Sequence, residues 1–442
     1  MVIPFDLTEE KMDKLSVCLL NDSFPPLIDG VANTVVNYAH ILTAHGETAS
    51  VVTPNSPGAK DEQFPFPVLR YPSLPTAELV GYRAGYPFSP STLGQLCDLD
   101  TNLIHSHCPF VSSIMARSLR NVIDAPLVFT YHTKFDIDVA NAVKGKLLQD
   151  ATIKILVDNI SASDEVWVVS RGAGENLRSL GYEGEYIVMP NGVDCPKGRV
   201  DEEKTKELRA RYADEDTAVF LYVGRMMWYK NLRLTLDALA RLKQTDRKFK
   251  MLFVGGGIDF EEIKKYADDI GIADVCEFVG PVHDRLLLRT YYCAADLFLF
   301  PSTYDTNGLV VREGAASGLA SVLIEGSCAA EDITDGRNGF LIKESAEDLC
   351  KKLYELTPRR DFCRQVGQNA MDDIYVSWED AVTLASGRYR DVIRRYKNGE
   401  YEPHKKLSDE FWRLQGELMN ALSRANSIGR NFLGRLIDDE DE

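Results

Sequence analysis

The sequence lacks any run approaching the ~18 unbroken apolar residues of a membrane-spanning helix. Its start, Met1–Lys14, is mixed and charged and holds no apolar signal core. It has no C-x-x-C pair: the nine cysteines (Cys18, Cys97, Cys108, Cys195, Cys276, Cys293, Cys328, Cys350 and Cys363) are scattered and odd in number. That pattern favours structural thiols over a disulfide frame or a zinc site. Basic excess is missing too, since 50 Lys and Arg face 67 Asp and Glu, for a net charge of −17. A duplex-binding protein needs a basic face to displace counterions, so nucleic acid is not expected as a partner. The absences describe a soluble chain expected in the cytoplasm. Without a secretion signal, the glycosylation patterns Asn21-Asp22-Ser23 and Asn159-Ile160-Ser161 carry little weight. What is present is 442 residues, 45% hydrophobic and 26% charged. That is ordinary globular composition and length for two or three domains.

Strand-like and helix-like runs alternate along the first half. Leu15–Asn21 and Thr48–Thr53 read as strands, with a helical period over Thr34–His45 between them. Leu103–His105, Pro126–Thr130, Glu165–Val169 and Tyr186–Met189 are further strand candidates. The turn Pro190-Asn191-Gly192 and the polar stretch Asp194–Asp216 interrupt the series. It then restarts with strands at Val219–Val223, Lys250–Val254, Val275–Val279, Leu297–Phe300 and Ser321–Ile324, and a helix over Leu232–Lys243. The pattern predicts an α/β fold of two Rossmann-like domains facing a cleft, residues 1–193 and 194–376. Loops beyond the C-terminal strand ends are then the places to look for a ligand. Residues 377–442 read as a helical extension expected to pack back on the N-terminal domain and to end in an acidic tail. Within it Leu407, Phe411, Leu414, Leu418, Ala421, Ala425, Ile428 and Phe432 recur at alternating spacings of four and three, an a/d seam. The seam suits a helix docked on the body, a dimer helix or a membrane-surface helix.

Two loops could carry chemistry. Gly224-Arg225 follows a strand, with Lys230-Asn231 opening the next helix. This pair of cations at a positive helix end suits an anion such as a diphosphate, or is a solvated surface pair. Ser302–Glu313 likewise follows a strand and opens a helix, with Asp305 and Glu313 bracketing the turn Asn307-Gly308. Both carboxylates could reach one ligand, and backbone N–H groups near Gly308-Leu309 could meet phosphate or sugar oxygens. The plainer alternative is a helix cap plus a surface acid. Gly255-Gly256-Gly257 lacks the full G-x-G-x-x-G pattern and reads as a close-approach loop. His105-Ser106-His107-Cys108 lacks further metal ligands, and Asp136-Ile137-Asp138 is a three-residue D-x-D match of the sort that recurs by chance. No metal is expected.

Taken together, Gly224-Arg225…Lys230-Asn231, Pro190-Asn191-Gly192-Val193-Asp194, Val254-Gly255-Gly256-Gly257, Phe300-Pro301-Ser302 and Asp305-Thr306-Asn307-Gly308-Leu309-Val310…Glu313-Gly314 resemble the retaining family 4 glycosyltransferases of the GT-B fold. The resemblance runs in order from about residue 15 to Trp378. It implies a retaining hexosyltransferase that needs no cofactor and uses a nucleotide sugar, UDP-glucose or GDP-mannose, as co-substrate. Arg225 and Lys230 would hold the diphosphate, Glu313 the ribose, and Asp305 the donor sugar. Asp305 stands where the family usually has the first glutamate of its E-x7-E motif, one methylene longer. Gly224, Asn307, Gly308, Leu309 and Val310 would line sugar and phosphates, and Val282, within Gly280–His283, would help frame the base. Gly30, in Asp29-Gly30-Val31, would let donor phosphate approach the backbone, and His132, in Thr130–Thr133, would touch the donor sugar. His105 and His107 would lie on the acceptor side.

The Asp-Thr-Asn-Gly-Leu-Val form resembles a branch containing glycolipid synthases, which makes a lipid such as diacylglycerol a candidate acceptor and allows weak membrane-surface association. The acidic first half argues against a strong membrane mode, so a saccharide acceptor stays open. Two other readings remain: a catalytically silent GT-B module that binds a glycan or partner, and a sugar-nucleotide epimerase.

Overall fold

The computed structural model describes residues 14–27, 29–74, 84–87, 89–401 and 414. By internal contacts the chain divides into two units. The first comprises the described residues up to Val169, Gly174–Met189, and the described residues from Val382 onward. The second comprises Ser170–Ala173 and Pro190–Ala381.

The first unit is built on seven parallel strands: β1 (Ser16–Leu20), β2 (Thr48–Pro54), β3 (Val68–Tyr71), β6 (Leu103–Ser106), β7 (Leu127–Tyr131), β8 (Glu165–Val168) and β9 (Ile187–Val188), with the small antiparallel pair β4 (Ser73–Leu74) and β5 (Ala84–Gly85) beside them. Their order is β3-β2-β1-β6-β7-β8-β9. The strand order reverses between β1 and β6, the crevice where doubly wound sheets bind ligands. β6 and β7 are buried along their whole length, as central strands covered on both faces must be. β3 was not legible as a strand because it is short and carries Arg70. That guanidinium is satisfied at the sheet edge by Asp61 and by the carbonyls of Pro25 and Pro54.

The second unit repeats the plan with β10 (Ala218–Val223), β11 (Phe249–Val254), β12 (Cys276–Gly280), β13 (Leu297–Phe300), β14 (Ser321–Ile324) and β15 (Phe340–Ile342). The order β12-β11-β10-β13-β14-β15 is all parallel and reverses between β10 and β13. Its core is aromatic: Phe220, Tyr222, Phe253, Phe298 and Phe340 are fully buried. Pro190–Val193 belongs to this unit, where Val193 bridges Ser377 and a Cβ on Gly192 would lie 2.3 Å from the Trp378 backbone nitrogen.

The helix Trp378–Lys397 begins in the second unit and continues in the first from Val382. Val382, Ala385, Tyr389 and Val392 are its buried apolar residues there, spaced for one helical face. Beside them Arg388 forks onto Glu165 at 2.8 and 2.5 Å, and the Trp167 indole donates to the same carboxylate at 2.6 Å. The a/d seam of 407–432 lies outside the described residues except Leu414, which is exposed. No described helix is long and apolar enough to cross a membrane.

Candidate functional site

In the second unit the two chemistry-bearing loops flank the point where the strand order reverses. One leaves β10 and the other leaves β13. Gly224 follows β10, and the next strand's exit passes so close that a Cβ on Gly255, at φ +137°, would stand 1.9 Å from the Gly224 carbonyl oxygen. Only glycine fits that approach. Arg225 is exposed and pairs with no carboxylate among the described residues. Lys230 closes a 3-10 turn, Trp228–Lys230, and is only 8% exposed. Asn231 then adopts φ +60° and donates to the Pro301 carbonyl at 3.2 Å, tying the β10 loop to the end of β13.

Lys230 Nζ lies 2.6 Å from Asp305 Oδ1. It also sits 5.4 and 5.1 Å from the ring centroids of Tyr229 and Tyr304. Asp305 thus holds its carboxylate on the buried cation. Further along, Asn307 accepts from Arg312 Nε at 3.1 Å. Gly308 caps the helix Leu309–Ala316 at φ +60°. Asn307 and Gly308 are buried, while Leu309 and Val310 are half-buried. Their amides lie in the first helical turn, where N–H groups have no intrahelical acceptor.

Glu313 sits one turn on from Leu309 and does not share Asp305's partner. Its Oε2 accepts from the fully buried Tyr292 hydroxyl at 3.0 Å. Burial pushes the Glu313 carboxyl above its ordinary range; the Tyr292 hydroxyl and the Arg285 guanidinium pull the other way, and Asp194 adds to the rise. Glu313 lines a cavity of about 250 Å³ together with Asp194, Arg285, Arg289 and Tyr292. Val282 packs half-buried against the core of this unit.

The first unit gathers the three histidines. His105 is fully buried on β6, its two ring nitrogens 2.6 Å from Tyr389 Oη and 2.7 Å from Thr130 Oγ1. His107 Nδ1 meets His132 Nε2 at 3.0 Å, and His107 Nε2 is buried without a hydrogen-bond partner. The His105 and His107 rings lie 3.9 Å apart, centroid to centroid. Burial drives all three imidazoles toward neutrality, His105 and His107 well below their usual value and His132 to about 3. Nothing of His105 is open to solvent, so in this arrangement it supports neighbours rather than lining a surface. Gly30 opens the helix Gly30–Ala44, whose amides at Val31 and Ala32 are already taken by Asp29 Oδ1 at 2.9 and 2.7 Å.

Sequence reasoning missed Tyr292, Tyr229 and Tyr304. Tyr292 reaches Glu313 from 21 residues away, and no local spacing announces it. No group of three His, Cys, Asp or Glu suited to a metal ion occurs among the described residues. Asp136 lies on the helix Phe135–Ala142 and accepts from Asn176 at 3.5 Å.

The family model described as "Glycosyltransferase Family 4" matches residues 28–197, and "Glycosyl transferases group 1" matches residues 203–373. The chain belongs to the family 4 glycosyltransferases of the GT-B fold. It is 25% identical to the alpha-monoglucosyldiacylglycerol synthase of Streptococcus pneumoniae over 69% of this chain and 70% of that one. A D-inositol 3-phosphate glycosyltransferase of Corynebacterium kroppenstedtii is 27% identical over 75% of each. Among solved structures, sucrose-phosphate synthase from Thermosynechococcus elongatus shares the fold at a TM-score of 0.70 and 20% identity, covering 86% of this chain and all of that one.

Proposed function

We propose that this glycosyltransferase moves a hexose, glucose, from UDP-glucose to a lipid acceptor with retention of configuration and without a divalent metal. The observation that carries the reading is the pair of cations beside the β10–β13 crevice: exposed Arg225 and enclosed Lys230, both on the loop that leaves β10. The donor diphosphate lies on Arg225, Lys230 and the amides near Gly308–Val310, with Gly224 and Asn307 alongside. Glu313 takes the ribose hydroxyls, Val282 borders the base, and Asp305 takes a sugar hydroxyl. The C1–O bond to the diphosphate breaks, the acceptor oxygen bonds C1 on the same face, and the acceptor proton passes to the leaving phosphate oxygen. Fixed cations and amides stabilise the negative charge that grows there.

Glucose and a lipid acceptor are the reading closest to the diacylglycerol-glucosylating relative. The helix Lys146–Ser161 supports it: Leu147, Leu148 and Ile155 are 83%, 61% and 59% exposed on a surface that carries Lys144, Lys146 and Lys154 against two exposed acids, Asp150 and Asp158. An apolar ridge edged by cations suits an anionic bilayer surface. UDP-glucose is expected to stabilise the protein against heating more than GDP-mannose does. Glucose transfer to diacylglycerol in vesicles containing anionic lipid should fall at least about tenfold in Leu148→Asp/Ile155→Asp, since each loses buried apolar area and adds repulsion. UDP affinity should be unchanged. Equal transfer by both proteins would remove the role given to this ridge, and no transfer to diacylglycerol by the wild type would remove the lipid reading and leave a saccharide acceptor.

Nucleotide binding also has an expected pH dependence. A ribose hydroxyl donates to an ionised carboxylate, so affinity for UDP should fall as pH drops through the raised pKa of Glu313. Tyr292→Phe removes a donor to the charged form. The midpoint of that fall should move upward by about one to two pH units, the scale of a hydrogen bond to a charged group. Calorimetric titration of UDP across pH checks it, and an unmoved midpoint counts against the role given to Glu313.

A further inference from the structure

Lys230 is an unusual phosphate ligand because its charge is already answered within the protein. Asp305 Oδ1 stands 2.6 Å from its Nζ, and the faces of Tyr229 and Tyr304, themselves 4.6 Å apart at their centroids, flank the ammonium. Asp305 Oδ2 is buried and has no hydrogen-bond partner. A buried carboxylate oxygen without a donor is costly, so it marks a position where a hydroxyl is favoured.

We propose that Asp305 is a built-in counter-ion that competes with the diphosphate for Lys230, so that the protein distinguishes its sugar donor from the nucleoside diphosphate product. The inference rests on Lys230 and Asp305 facing diphosphate and sugar. With the intact donor, a sugar hydroxyl donates to Oδ2 and offsets the carboxylate's charge. Once the sugar has gone, Oδ2 loses that donor, and the full negative charge of Asp305 faces the product diphosphate in a part-buried setting where charges act strongly. Product leaves more readily than it would from a lysine without a counter-ion. Two tyrosine faces keep the ammonium in place while its partner changes.

The test is calorimetric titration of the full chain with UDP and with uridine. In Asp305→Asn the shape and one acceptor oxygen remain but the charge is gone. UDP should bind about tenfold tighter or more, as expected for deleting a part-buried like charge, and inhibition by UDP during turnover should tighten in parallel. Uridine, which has no diphosphate, should bind as it does to the wild type. Asp305→Glu, which keeps the charge, should leave UDP affinity within about threefold, and Lys230→Met added to Asp305→Asn should abolish the gain. Unchanged or weaker UDP binding by Asp305→Asn, with uridine binding intact, overturns the counter-ion role alone. Failure of the wild type to bind either compound overturns the nucleotide-site reading and this inference with it.

Discussion

Replacing Lys230 with alanine is expected to lower kcat on the order of 10²–10³-fold, the usual cost of one electrostatic donor at a developing anion. The ammonium is enclosed at 8% exposure, so water cannot substitute for it cheaply. In the role proposed for it, its attraction to the diphosphate grows as the C1–O bond breaks, which places the expected loss in turnover more than in ground-state binding. The ion pair complicates the single variant. Without Lys230, Asp305 becomes an unpaired part-buried carboxylate and repels the donor as well. The double variant Lys230→Ala/Asp305→Asn therefore separates the two effects. It should recover donor KM toward the wild-type value while kcat stays low. Steady-state rates with donor at saturation decide the matter, and a Lys230→Ala protein that turns over normally removes Lys230 from the chemistry.

Acidification should destabilise the first unit steeply. His105, His107 and His132 are held neutral in the folded protein, with pKa values far below the ~6.5 that an unfolded chain returns to. Below that pH the unfolded state binds protons that the folded state refuses. Stability is therefore complete above about pH 6.5 and falls as pH drops toward the folded values, about 3 for His132. Each imidazole contributes about 1.4 kcal/mol per pH unit, so the three together cost on the order of 4 kcal/mol per unit. Against a domain stability of about 5–15 kcal/mol, a loss of that size per pH unit is a large share of the total. Proton acceptance inside the cluster offers little relief, because the His105 and His107 rings are 3.9 Å apart and a charge on one opposes a charge on the other. Urea unfolding followed by circular dichroism at pH 7, 6 and 5 measures the slope. His107→Gln should reduce it by about one proton. A stability that is flat from pH 6.5 to 5 contradicts the neutral cluster.

The elements that position these groups were legible where the signal was strong and local. Leu232–Lys243 and Leu297–Phe300 have the bounds that periodicity and apolar runs set. β3 and β15 were not legible, since three or four residues at a sheet edge carry too little pattern to stand apart from loops. The loops that bear Arg225, Lys230, Asp305 and Glu313 could be placed from their position after strands. Their partners could not. Lys230 and Asp305 are 75 residues apart, and His105 and Tyr389 are 284 apart. Those pairings follow from strand order and from the helix Trp378–Lys397 returning to the first unit, which one-dimensional spacing does not encode. The identity of Asp305 was visible as a departure from a glutamate. That Asp305 pairs with Lys230 needed the fold.

The central claim is retaining, metal-independent transfer from a nucleotide sugar. It is tested most directly by proton NMR of the full-length protein turning over UDP-glucose in EDTA, with diacylglycerol vesicles or water as the acceptor. The anomeric proton of the first product should carry the α signature of the donor, appearing before mutarotation and at a rate unaffected by the chelator. A β-configured first product, or consumption of donor that stops with EDTA and returns with magnesium or manganese, would contradict the account.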